Sequence, residues 1–137
     1  MLKKTITYTD FNGVERTETF YFNLTKAELV DMEASEYGYS DMLKQIIDSK
    51  DTKALARVFK EMVLRAYGEK SPDGRHFMKS PEIADRFAHT QAYSDIYMSL
   101  ATDTEAAIEF VNGIIPKDVK TDESAIRELQ PSKDLQD

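Results

Sequence analysis

Apolar and polar residues alternate along the first stretch of the chain. Leu2, Ile6 and Tyr8 fall on even positions, and Lys3, Thr5, Thr7 and Thr9 on odd ones. A period of two with β-branched residues on the polar side predicts a half-buried strand. Asp10-Phe11-Asn12-Gly13 follows, and Asn-Gly between two alternating runs signals a hairpin. The return run from Val14 to Asn23 alternates again. Val14, Phe20, Phe22 and Leu24 share one parity, and Glu15, Thr17, Thr19 and Tyr21 the other. The first expectation is therefore a β-hairpin over residues 2–23. Its apolar face has to rest on helices, because an isolated hairpin is marginal in water.

The period then becomes helical. Thr25-Lys26-Ala27-Glu28 has the spacing of a capping box, with Leu24 placed to staple onto Leu29. This helix is predicted to run to about Ala34, followed by a linker, Ser35 to Ser40, in which Gly38 is a stop signal. A second helix is predicted over about Asp41 to Ser49. A third starts at Asp51 or Thr52, with Leu55, Val58, Phe59, Met62, Val63, Ala66 and Tyr67 on one face. Gly68 reads as its end, and Glu69 to Lys79 as a loop around the turn signal Pro72-Asp73-Gly74. Ser80-Pro81 opens a fourth helix, Thr90 a fifth, and Thr102 or Asp103 a sixth. Beyond Pro116 few large apolar residues remain, which predicts a mobile acidic tail over 116–137. The expected class is α+β and mostly helical. It comprises one domain over 1–115 (hairpin 2–23, about six short helices over 25–115), followed by a disordered tail.

Composition narrows the chemistry. The chain has 18 Lys and Arg against 25 Asp and Glu, a formal charge of −7. Binding to a phosphate backbone or an anionic membrane surface depends on clustered Lys and Arg, so neither nucleic acid nor membrane is an expected partner. Of these charges, residues 116–137 carry four positive and six negative, so the acidity belongs mainly to the body. Cysteine is absent, which removes disulfides, thiolate metal sites and thiol nucleophiles. The start, Met1 to Asp10, has no apolar run after its lysines and does not read as a signal peptide.

Motifs for catalysis are missing as well. His76 and His89 are too far apart for a helical metal pair. No serine lies in Gly-x-Ser-x-Gly or Ser-x-x-Lys, and the five glycines form no phosphate-binding loop. No enzyme activity and no cofactor are expected. The candidate protein contacts lie in two places. One is the turn around which Lys70, Arg75, His76 and Lys79 cluster, with Tyr67, Lys70, Asp73, Arg75 and Phe77 as candidates; the other is the linker pair Tyr37 and Tyr39. Each sets aromatic rings in or beside a connection, the usual seat of recognition.

Several ordered segments also carry a resemblance. They are Thr7 to Leu29, Ala66 to Arg75 with Phe77 and Lys79, Thr90 to Ser94, Leu100 to Asp103, and Phe110 to Pro116. In this order they resemble tail assembly chaperones encoded in the tail-gene region of long-tailed phages and prophages of Gram-positive bacteria. The resemblance covers about residues 1–116. It implies a non-enzymatic protein of the host bacterial cytoplasm. Such chaperones bind the long, largely helical tape measure protein, keep it soluble and help recruit tail tube subunits. They are absent from the finished virion, and many exist in a second, longer form made by a translational frameshift. Homo-oligomers are a further expectation. Two alternatives stay open: a structural tail or connector subunit of the particle, and a phage effector that binds a host defence protein. The resemblance supplies no contact residues.

Overall fold

The computed structural model describes residues 1–33, Lys44 and 52–116, with backbone alone for 52–55. The predicted second helix, the linker tyrosines and the tail lie outside the described residues.

The hairpin forms as the alternation predicts. Strand β1 (Leu2–Thr9) pairs antiparallel with β2 (Glu15–Phe22), from Leu2↔Phe22 at the base to Thr9↔Glu15 at the tip. On one face threonines meet across the strands, Thr5 with Thr19 and Thr7 with Thr17, each pair 2.8 Å apart at Oγ1. The other face turns Leu2, Ile6, Tyr8, Phe20 and Phe22 toward the helices. The turn is built by Asp10. Its Oδ1 accepts from the N–H groups of Asn12 and Val14, both at 2.9 Å, and its backbone carbonyl accepts from Gly13. Gly13 sits at φ +81°, in the left-handed region open to glycine. Val14 shares the inward parity yet is 51% exposed, because it lies out at the tip, beside the turn.

Five helices are present among the described residues: α1 (Lys26–Glu33), α2 (Thr52–Ala66), α3 (Pro81–Ala88), α4 (Gln91–Thr102) and α5 (Thr104–Ile114). The predicted caps hold. The Thr25 hydroxyl accepts from the Glu28 N–H at 3.1 Å, and Glu28 Oε1 accepts from the Thr25 N–H at 2.8 Å. Ser80, Thr90 and Asp103 each accept from the first turn of α3, α4 and α5. Each such cap satisfies an amide with no partner inside its helix.

One region differs from the expectation. Residues 69–79 are not all loop, and Tyr67 and Gly68 do not belong to the third predicted helix. The chain leaves α2 at Ala66 directly into β3 (Tyr67–Lys70), which returns as β4 (Phe77–Met78). The sheet order is β1-β2-β3-β4. Only Tyr21↔Gly68 and Phe22↔Tyr67 join the two hairpins. Tyr67 falls on the helical stripe, and its pairing with Phe22 is a long-range event that no local pattern announces.

The core is a cluster of aromatic rings between sheet and helices. Phe22 is fully buried and meets Phe110, Tyr67 and Phe87 at centroid distances of 5.2, 5.8 and 5.9 Å. Burying one such side chain is worth roughly 1.5–3 kcal/mol. Val58, Met62, Val63 and Ala66 of α2, Ile96 and Leu100 of α4, and Val111 and Ile114 of α5 complete it. The segment between β2 and α1 is stitched to two helix ends. Asn23 N–H donates to the Ala66 carbonyl at 2.8 Å, and Leu24 N–H to the Ile114 carbonyl at 2.7 Å.

Candidate protein-contact surface

The turn between β3 and β4 is organised from within. Asp73 Oδ1 accepts from the Ser71 hydroxyl at 2.7 Å and the Arg75 N–H at 3.1 Å. These bonds, the hydroxyl's first, hold its carboxyl below the usual carboxylate range. The Ser71 oxygen in turn accepts from the His76 N–H at 3.0 Å. Gly74 supplies a left-handed φ of +75°. Asp73 is thus both exposed and committed to the turn's shape. Arg75 and His76 project into solvent, and the Lys70 ammonium lies 5.6 Å from the centroid of the Tyr21 ring.

The aromatic candidates beside this turn are packed more deeply. The Tyr67 ring stacks on Phe87 with 3.9 Å between centroids and 8° between planes. Burial, with Glu69 nearby, pushes its phenol up. Phe77 is half-buried, its ring edge lying over Gly68. The structure therefore brings Tyr67, Lys70, Asp73, Arg75 and Phe77 into one hairpin. Within it the polar members are displayed and the aromatic ones lean on neighbours. Tyr37 and Tyr39 lie outside the described residues.

Lys79 leaves the displayed basic group altogether. Its ammonium donates to Glu28 Oε2 at 2.6 Å and to the Asn23 carbonyl at 2.7 Å, joining the end of β4 to the cap of α1. Burial pushes this ammonium down from its ordinary value even with Glu28 beside it. Burial also acts to raise Glu28, but the hydrogen bonds from Lys79 and Thr25 outweigh it and hold the carboxyl below its usual range. The two shifts pull in opposite directions on the charged pair. The short, charge-assisted contacts decide for the ionised form.

Periodicity did not single out the surface that is most open. The hairpin tip carries Phe11, 76% exposed, beside the exposed Val14. The turn that presents Phe11 is held by Asp10, which grips two amides through Oδ1 and the Arg16 guanidinium through Oδ2 at 2.6 Å. The guanidinium first, then the Val14 N–H, hold the Asp10 carboxyl low. Tyr8 closes the same polar group by donating to Glu18 Oε1 at 2.6 Å. A signal existed in the sequence: a turn built on Asp10 and Gly13 forces the intervening Phe11 outward. Elsewhere Val30, Met78 and Met98 are also exposed, whereas Met32 and Met62 are core residues. A shallow groove lined by Leu24, Glu28, Asp31, Met32 and Arg65 runs beside α1. Among the described residues no group of three or more His, Asp or Glu side chains is placed to hold a metal ion, and no helix is long and apolar enough to cross a membrane.

These features define an α+β fold whose hairpin arm displays apolar side chains at its tip. The chain belongs to the phage tail assembly chaperone family, whose sequence model matches residues 1–136. No curated protein and no solved structure matches it.

Proposed function

We propose that this protein serves tail assembly as a non-enzymatic chaperone in the host cytoplasm, holding the tape measure protein before tube subunits close around it. Membership of the family over residues 1–136 carries the reading. The geometry supports it. A helical client exposes apolar stripes before assembly, and a holding protein needs exposed apolar side chains on a firm support to cover them. Phe11 and Val14 supply the apolar side chains, and the turn gripped by Asp10 supplies the support. Lys70, Asp73 and Arg75 are the proposed polar rim, with Tyr67 and Phe77 behind it. An acidic body keeps such a protein soluble while it displays apolar groups.

The test is co-expression with fragments of the tape measure protein from the same genome. The expected result is a fragment that becomes soluble and co-elutes with the chaperone. A Phe11→Ser variant should recover clearly less of it. A fragment that stays insoluble while the chaperone elutes alone would refute the reading. So would a stoichiometric amount of the protein in purified virions, which would mark a structural subunit.

A further inference from the structure

Among the described residues the helices pack on one face of the sheet and leave the other open. Residues directly opposite each other point to the same side, and successive residues of a strand to opposite sides. Lys3, Tyr21 and Gly68 therefore form one row on the open face, with Lys70 and Phe77 in another row beside it. Toward the tip the face continues as the exposed threonines Thr5, Thr19, Thr7 and Thr17. Gly68 has no side chain, so the Phe77 ring edge lies over the strand there. The base of the open face is thus floored by two half-buried rings, Tyr21 and Phe77. Lysines border this floor on both sides. Lys3 stands on β1, and Lys70 stands on β3 with its ammonium 5.6 Å from the Tyr21 ring centroid. Neither forms an ion pair among the described residues. Lys79, 5.6 Å from the Phe77 centroid, is taken up by Glu28 and Asn23. Of the strand residues on this face Glu15 alone is acidic, and it stands at the far tip. In a chain of net charge −7, this is a cationic, aromatic seat.

We infer that the occupant of this seat is the chain's own segment 122–129, laid along β2 as a short helix. Three observations favour it over a separate partner. First, the chain leaves the fold at the right place. The Ile114 carbonyl accepts from the Leu24 N–H at 2.7 Å, and the Leu2 side chain, next to Lys3, lies where a Cβ on Gly113 would stand. Tyr21 is about 10 Å along the chain from Leu24, and residues 117–121 reach about 17 Å when extended. Second, the segment carries the matching chemistry. In Asp122-Glu123-Ser124-Ala125-Ile126-Arg127-Glu128-Leu129 a helical period groups Ala125, Ile126 and Leu129 on one side, with Glu123 on one flank and Glu128 on the other. Ile126 and Leu129 would cover the two rings, and the flanking glutamates would meet Lys3 and Lys70. Those lysines stand on strands about 10 Å apart, at two strand spacings, which is the width of a helix. Third, the segment is bounded by Thr121 as a cap and Pro131 as a stop, yet it is too short to hold a helix in water by itself. It gains one only against a surface, and its tether supplies it there at a high effective concentration that a free partner has to exceed. A docked segment shields Lys70 and Phe77, part of the surface proposed for the client, although the docking does not depend on who that client is.

The chain has no cysteine, so nitroxide labels can be set on two introduced ones in the full chain. Thr17→Cys puts one on the open face beyond the seat, and Ser124→Cys puts the other on the far side of the segment. Dipolar distance measurement should give one narrow, short population. Lys3→Glu with Lys70→Glu should lose most of it, and adding Glu123→Lys with Glu128→Lys should restore it. Ile126→Ser should lose it as well, and high salt should weaken it. Excess unlabelled chain should leave it unchanged, because the contact lies within one copy. A second readout needs no label. In NMR spectra of the full chain, Ile126→Ser should move the ring resonances of Tyr21 and Phe77 while those of the buried Phe22 stay in place. A broad, long distance distribution without these charge or Ile126 changes overturns the inference. So does a short population that survives Ile126→Ser or the lysine reversals, which would seat the segment elsewhere, as in the groove beside α1. A lysine defect that the glutamate reversals fail to repair overturns it too, as does a population lost on dilution with unlabelled chain, which would make the segment that of a second copy.

Discussion

Gly68 is where the second hairpin meets the first, and replacing it with alanine tests how tightly that joint is packed. A Cβ built there would stand 2.7 and 2.8 Å from Phe77 Cε2 and Cζ, and 3.0 Å from the Met78 carbonyl oxygen. The φ at this position does not demand glycine, since the positive values belong to Gly13 and Gly74. Two effects therefore compete. Gly→Ala at a tolerant backbone position stabilises by about 0.4–1 kcal/mol through the unfolded chain. Inserting a methyl into filled space costs about 1–3 kcal/mol. The Phe77 ring is half-buried and has some room to swing, but the Met78 carbonyl belongs to β4 and moves only with the strand. The net expectation is a loss of about 1–2 kcal/mol. Urea unfolding at equilibrium measures it as a lower midpoint at unchanged slope. The companion variant is Phe77→Leu, which withdraws the ring edge. In a double-mutant cycle, Gly68→Ala should cost at least about 0.5 kcal/mol less in the Phe77→Leu background. Equal or greater stability for Gly68→Ala alone would show that the joint is loose. An unchanged cost in the Leu background would show that the ring is not what resists.

Three further outcomes follow from the same contacts. Phe22→Ala removes a fully buried ring that touches Tyr67, Phe87 and Phe110; it should cost about 3–5 kcal/mol and lower the thermal midpoint sharply in calorimetry. Glu28 has a folded-state pKa held below its unfolded value of 4.5, so its contribution is present above that pH and is lost as the pH falls through the folded-state value. Urea unfolding at a series of acidic pH values should show a shallower decline for Glu28→Gln than for wild type, and an identical slope would contradict the role given to the Lys79 contact. Phe11→Ser, at a site 76% exposed, should leave the unfolding midpoint within about 0.5 kcal/mol of wild type. Its capture of tape measure fragments should nonetheless fall.

What was legible in the sequence was what local interactions decide. The alternation in β1 and β2 and the turn between them set the hairpin and its register. The capping residues Thr25, Ser80, Thr90 and Asp103 work within one helical turn, so spacing alone reveals them. The joint at Tyr67 and Gly68 was not legible. Tyr67 satisfies a helical stripe, and only a stack on Phe87 and a pairing with Phe22 turn it into a strand residue. The candidate contacts divide the same way. The turn signal in Pro72-Asp73-Gly74 located a real turn, but exposure there depends on which rings the core accepts. Lys79 looked like one more displayed charge until Glu28 and Asn23, far away in sequence, came within 2.6 and 2.7 Å.

The hairpin divides into two halves with different dependence on the core, and this decides where binding can be studied apart from folding. At the base, Phe20 and Phe22 enter the aromatic cluster, and Tyr21 and Phe22 carry the pairing to β3. A change there acts on stability first, and any loss of binding is secondary. Toward the tip, Glu15 to Thr19 of β2 pair with β1 alone, and the turn is held by Asp10 and Arg16 rather than by burial. Those polar bonds are exposed and each is worth little to global stability, yet together they fix the direction in which Phe11 points. Disrupting them with Asp10→Ala should therefore leave the unfolding midpoint nearly unchanged while reducing client capture about as much as Phe11→Ser does. If Asp10→Ala binds like wild type, the rigidity of the turn is not what presents Phe11, and the ring engages its partner from a turn free to adapt.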